Sequence, residues 1–77
     1  MTEFAYTVTA TTNGSNPVKG ATVVIGGVEK TTGADGKAVF YLLDGETYVI
    51  GAYTATLEDS AVKTVDSNTP AITLTLV

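Results

Sequence analysis

The chain has 77 residues, eight of them acidic and four basic, no cysteine, no histidine and a net charge of −4. Those absences exclude a disulfide framework and a thiolate metal site, and they remove the commonest general base and zinc ligand. The basic residues are all lysines and form no stripe, so neither nucleic acid nor an anionic membrane surface is an expected partner.

Taken in chain order, Thr2–Thr12 alternates with period two. Phe4, Tyr6, Val8 and Ala10 share one face, and Glu3, Ala5, Thr7, Thr9 and Thr11 the other, which predicts a half-buried strand. The turn formers Asn13–Pro17 end it. Val18–Ile25 follows with Val18, Ala21, Val23 and Ile25 inward, and Gly20 marks a kink or bulge before the strand proper. Gly26-Gly27 makes a tight connection to a short strand at Val28–Thr32. Asp35-Gly36 turns the chain into Ala38–Leu43, with Ala38, Phe40 and Leu42 on the core face and Val39 and Tyr41 opposite. Asp44-Gly45 turns it again into Thr47–Glu58, with Tyr48, Ile50 and Ala52 inward. Asp59-Ser60 reads as a turn before a short strand to Val65. Asp66–Pro70 is the last turn, and Ile72, Leu74 and Leu76 alternate with Thr73, Thr75 and Val77 in the final strand.

Threonine, valine, isoleucine and tyrosine dominate, and helix formers never recur at 3.6-residue spacing, so the class is all-β. About seven short strands with regularly spaced turns predict a single domain over residues 1–77, an antiparallel sandwich. Threonine-rich faces would meet water, with Phe4, Phe40 and Tyr48 expected to dominate the core. No apolar run approaches the ~20 residues of a membrane span, and "MTEFAYTVTA" has no basic n-region or apolar h-region of a signal peptide.

Pro17–Ala52 carries a pattern in Val18-x-Gly20-Ala21-x-Val23, Thr31-Thr32, Asp35-Gly36-x-Ala38-x-Phe40 and Gly45-x-x-Tyr48-x-Ile50-x-Ala52. On these residues the chain resembles the carboxypeptidase regulatory-like domains, which have the transthyretin-like (prealbumin-like) sandwich. It is also similar to bacterial immunoglobulin-like repeats of the intimin/invasin type. The resemblance covers roughly half the chain and implies a seven-stranded Ig-like or prealbumin-like sandwich that spaces, stabilises or binds, with no chemistry of its own. Some adhesin relatives carry a Lys–Asn isopeptide bond between first and last strands. Here Thr2–Thr12 has no lysine and Ala71–Val77 no asparagine. The transthyretin-like hydrolase of purine catabolism would need histidine and arginine, both absent.

No residue set reads as catalytic, and no metal or cofactor is expected. Around Asp35 the sequence lacks the spaced oxygen ligands of a calcium loop, and Asp35-Gly36 reads as a turn in which Gly takes positive φ. Asp44-Gly45-Glu46 reads the same way. The two turns lie at opposite ends of one strand, about 25–30 Å apart, too far to share an ion. Glu58, Asp59 and Asp66 are an acidic rim or a carboxylate pair, and a small sandwich without large loops offers such a pair no cleft. Asn13–Ser15 matches a glycosylation sequon and also a plain turn. The exposed tyrosines Tyr41 and Tyr53 are candidate surface-binding residues, able to stack on a sugar, anchor a protein interface or pack across strands. The first and last strands carry no internal lysine, proline or bulge, so at an edge either would pair with a copy of itself or a scaffold.

The expected function is a non-enzymatic structural or interaction module on a virion or extracellular surface, such as a phage capsid decoration or fibre-associated protein. A carbohydrate- or receptor-binding domain of a secreted bacterial protein involved in adhesion is the alternative.

Overall fold

The computed structural model describes residues 3–13 and 15–77. Thr2, expected to open the first strand, and Gly14, within the Asn13–Ser15 sequon, lie outside the described residues, as does Met1. The strands are β1 (Glu3–Thr12), β2 (Asn16–Pro17), β3 (Thr22–Ile25), β4 (Val28–Thr31), β5 (Lys37–Leu43), β6 (Thr47–Tyr53), β7 (Glu58–Thr64) and β8 (Ala71–Thr75). They form two four-stranded sheets packed face to face. In one, β1 pairs with β5 and β2 and also with β8; the other runs β4–β3–β6–β7. The chain is all-β and a β-sandwich.

The strand count is eight among the described residues, not seven, because Asn16–Pro17 pairs with Thr11 and Thr12 at the end of β1. Nor is every pairing antiparallel: β8 lies parallel to β1, with Thr7 opposite Ala71 and Thr11 opposite Thr75. The cause is a crossover. β7 belongs to the second sheet, and Val65–Pro70 carries the chain over to the first, where it arrives beside β1 in the same direction. Asp44 anchors that crossover, its carboxylate accepting from the Ser67 N–H at 3.2 Å and the Ser67 hydroxyl at 3.1 Å.

The second half of β1 is therefore internal, with β8 along Thr7–Thr11 on one side and β5 and then β2 on the other, while Glu3–Tyr6 pair with β5 alone. On one side of the sandwich, Glu58 at the start of β7 and Val77 beyond β8 exchange both backbone hydrogen bonds, at 3.1 and 3.2 Å. On the other side, the Lys30 ammonium of edge strand β4 lies 5.5 Å from the Phe40 ring centroid on β5. A charge held over the open flank both caps the aromatic ring and discourages edge-to-edge pairing there.

A second boundary differs from its sequence reading. Asp59-Ser60 lies inside β7, and the turn comes earlier, at Thr54–Leu57. Its chemistry is hydroxyl-based: the Thr54 N–H donates to the Leu57 carbonyl at 2.8 Å, and the Thr54 hydroxyl accepts from the Leu57 N–H at 3.1 Å. Nothing in "TATL" resembles the Gly, Pro, Asn and Asp signals that usually mark a turn.

The core lies between the sheets. Tyr6, Val8 and Ala10 of β1, Ala38, Phe40 and Leu42 of β5, and Leu74 and Leu76 face Val23, Ile25, Ile50 and Ala52. Tyr6 and Phe40 are its two largest fully enclosed side chains. Phe4 and Tyr48, expected to be dominant, are only partly buried. Each is displaced outward by its place near a sheet end: Phe4 meets Tyr6 edge-on at 6.0 Å between centroids, and the Tyr48 hydroxyl turns out to accept from the Leu43 N–H.

The Gly20 kink is secured by a single side chain. Thr32 is buried, and its hydroxyl donates to the Val18 carbonyl at 2.6 Å while accepting from the Ala21 N–H at 2.9 Å. Gly20, at φ 81°, donates its own N–H to the Thr32 carbonyl. One threonine thus satisfies the backbone of a segment that leaves the first sheet and enters the second.

Candidate interaction surface

Because strand residues alternate, each sheet turns every second side chain to solvent, and these two outer faces hold the candidate residues. They separate Tyr41 from Tyr53. Tyr41 stands on β5, on the outer face of the first sheet, opposite Ala5 and beside Val39, which opposes Thr7. Tyr53 stands at the end of β6, on the outer face of the second sheet, between Thr22 and Glu58. They are 67% and 44% exposed, and the whole thickness of the core lies between them. The two rings cannot form one platform.

The turn residues do structural work. Asp35 Oδ1 accepts from the Lys37 N–H at 3.1 Å, and Gly36 sits at φ 76°. Gly36 is buried, and its carbonyl accepts from the Ala10 N–H at 2.7 Å. At the other end of β5, Gly45 takes φ 83° and donates to the Val65 carbonyl, next to the Asp44–Ser67 contact. The acidic candidates are not brought together either. Glu58 and Asp59 start β7 on opposite faces, whereas Asp66 lies past its far end and accepts from the Asn68 N–H at 2.8 Å. Among the described residues no group of three or more potential metal ligands converges, and the surface has no pocket.

The outer face of the second sheet carries what the sequence reading missed. Register places Val24, Gly51 and Ser60 in one row across β3, β6 and β7, and Val49 and Val62 in the next. Thr22, Tyr53 and Glu58 form the row beyond on one side, and Thr47 and Thr64, whose hydroxyls hydrogen-bond at 2.8 Å, the row on the other. Val49 is 63% exposed and Val62 70%. A side chain added at Gly51 would meet nothing within 4 Å. Glu29 and Glu58 are the charges on this face, both at its margin, so its middle is apolar and uncharged.

In the sequence, Val49 and Val62 look like ordinary strand residues on a solvent side. Only the β6–β7 pairing sets them opposite each other, and a misplaced turn at Asp59-Ser60 hides that pairing. By contrast, the large exposed apolar residues on the outer face of the first sheet, Val39 and Tyr41, lie on one strand, and Lys37 and Glu3 share that face.

No protein-family model matches the chain, and neither a curated protein nor a solved structure matches it.

Proposed function

We propose that this chain is a non-enzymatic interaction module that works through the outer face of its β4–β3–β6–β7 sheet, on a virion or extracellular surface. The observation that carries this reading is the Val49–Val62 pair, mostly exposed on β6 and the edge strand β7, with no charged side chain beside it on either strand's outer face. Apolar patches rimmed by polar residues mark protein contacts more often than bare surface, and interface centres are depleted of charge in the same way. The likeness of Pro17–Ala52 to carboxypeptidase regulatory-like and bacterial immunoglobulin-like domains supports a prealbumin-like or Ig-like module of this kind, including capsid decoration or fibre-associated proteins. The partner is a protein, either a scaffold or the chain itself. Carbohydrate binding, the alternative, would have to rest on Tyr41 or Tyr53 singly, since they occupy opposite faces.

The test is a footprint. Isotopically labelled protein is mixed with particles or cell envelopes of the organism that encodes it, and backbone cross-peaks are followed. Attenuation centred on Val24, Val49, Gly51 and Val62 is the expected outcome. An undisturbed spectrum sinks the proposal. A glycan-array signal abolished by Tyr41→Ala or Tyr53→Ala would replace it with the carbohydrate reading.

A further inference from the structure

We infer that the outer face of the second sheet is self-complementary and that its occupant is a second copy of this chain, stacked face to face about a two-fold axis. The inference rests on the reading of that face as an interaction surface and names its partner.

Relief and register together supply the argument. The row holding Val49 and Val62 is a ridge of two branched side chains on neighbouring strands. The adjacent row stands up at Val24 on β3 and drops to a hollow over β6 and β7, formed by Gly51, which has no side chain and open space above it, and the small Ser60. Ridge and hollow lie two residues apart along the same strands, roughly 7 Å. A two-fold axis crossing the strands midway between these rows lays each copy's ridge on the other's hollow. Val49 then faces the partner copy's Gly51, and Val62 its Ser60, so one operation creates both contacts twice. The strands of the two copies run in opposite directions, and the twist of the sheets offsets them by about 30°.

The outer rows agree with the same operation. The row of Tyr53 and Glu58 comes to lie over the hydrogen-bonded pair Thr47–Thr64. Tyr53 packs on threonine methyl groups, and Glu58 meets a hydroxyl. Glu29, on edge strand β4, sits outside the opposed ridges. No acid faces an acid, which matters in a chain of net charge −4. The β4 edge is less suited to self-pairing. Lys30 guards the β4–β5 flank, and two copies meeting there would bring like charges together.

Area sets the strength. β6 and β7 have seven residues each and β3 and β4 four, which together span roughly 350 Å² in projection, so two opposed faces bury about 700 Å² in all. That is under the ~1,000 Å² of a stable specific interface, which places the dimer in a weak, reversible class with a dissociation constant on the order of 10⁻⁴ M.

Sedimentation velocity on the purified chain from about 5 to 500 µM tests this, a range that brackets such a constant. Two variants accompany it. Val62→Lys puts a charge on the ridge, and Gly51→Phe fills the hollow while adding apolar area; both positions face solvent, and thermal melts verify that each variant folds. The expected result is a monomer–dimer equilibrium that both variants weaken at least about tenfold. A concentration-independent monomer overturns the inference, as does an open series of larger species, because the two-fold closes at two. So does a dimer that Gly51→Phe leaves alone or strengthens, the signature of unspecific apolar contact. A pure protein that stays monomeric yet shows the footprint described above loses the self-partner and keeps the interaction face; loss of both discards the two readings together.

Discussion

Tyr6 has its ring at the centre of the core, fully buried, and its hydroxyl has no hydrogen-bond partner among the described residues. An enclosed hydroxyl that exchanges water for nothing costs about 1–3 kcal/mol. The residue is there for its ring, which packs beside Phe40 and edge-on to Phe4. Tyr6→Phe keeps the ring and deletes the unmet group, so urea unfolding should show equal stability or a gain of up to about 2 kcal/mol. A loss above about 1 kcal/mol would mean that the hydroxyl has a partner. Burial also raises the phenol's pKa above the ordinary 10.0, because the charged form is desolvated. The folded state then holds its proton where the unfolded chain releases it. This contribution to stability is complete below the unfolded pKa and is lost as pH rises from about 10 through the higher folded value. Tyr6→Phe should remove that part of the alkaline decline, measured by unfolding at pH 9 and pH 11. The alternation in "EFAYTVTA" indicated that Tyr6 faces inward. It could not indicate that the hydroxyl would end without a partner, because the atoms around it come from other strands.

At the scale of elements, the two Asp-Gly turns that bracket β5 look alike in sequence and differ in what surrounds them. Both glycines have positive φ, at 76° for Gly36 and 83° for Gly45. An added Cβ at Gly36 would lie 2.7 Å from the Ala10 carbonyl oxygen and 3.0 Å from Pro17 Cβ, whereas at Gly45 it would meet nothing. Gly45→Ala should therefore cost only the left-handed backbone penalty of about 1–2 kcal/mol. Gly36→Ala adds a clash with the β1–β2 junction and should cost about 3 kcal/mol or more. Denaturant midpoints of the two variants, compared side by side, measure the difference; equal losses would show that the packing around Gly36 yields freely. Strand positions were legible where glycine, proline, asparagine or aspartate marked the turns, as at Asp35-Gly36 and Asp44-Gly45. They were not legible at Thr54–Leu57, where a threonine hydroxyl replaces those signals. That omission placed a turn at Asp59-Ser60, cut the following strand short and concealed its register with β6, on which the candidate surface depends.

At the scale of the whole molecule, the sandwich is joined along one side and guarded along the other. Leu76 contributes to the joined side: it is buried in the core, and its N–H donates to the Thr11 carbonyl at 2.7 Å, one residue before Val77 bonds with Glu58. Truncating a buried leucine costs about 2–5 kcal/mol, against a total of roughly 4–12 kcal/mol for a domain of this size. Leu76→Ala should lower the urea midpoint by about a sixth or more of its value, with the monomer–dimer constant unchanged at matched folded concentration. The face of the second sheet lies on the far side of the core from β8, which is why stability and association should separate in this variant.

The sequence by itself determined the class and the inward face of nearly every strand, because period-two alternation is local and survives any arrangement of the sheets. It also determined the turns at which an Asp-Gly pair or a run of turn formers marks the chain. Tertiary structure decided the rest. It set β8 parallel to β1, took the second half of β1 away from the edge and put Tyr41 and Tyr53 on opposite sides. It brought Val49 to Val62 beside the hollow at Gly51. Each of these depends on which strands become neighbours, a choice governed by how the two sheets close over one core.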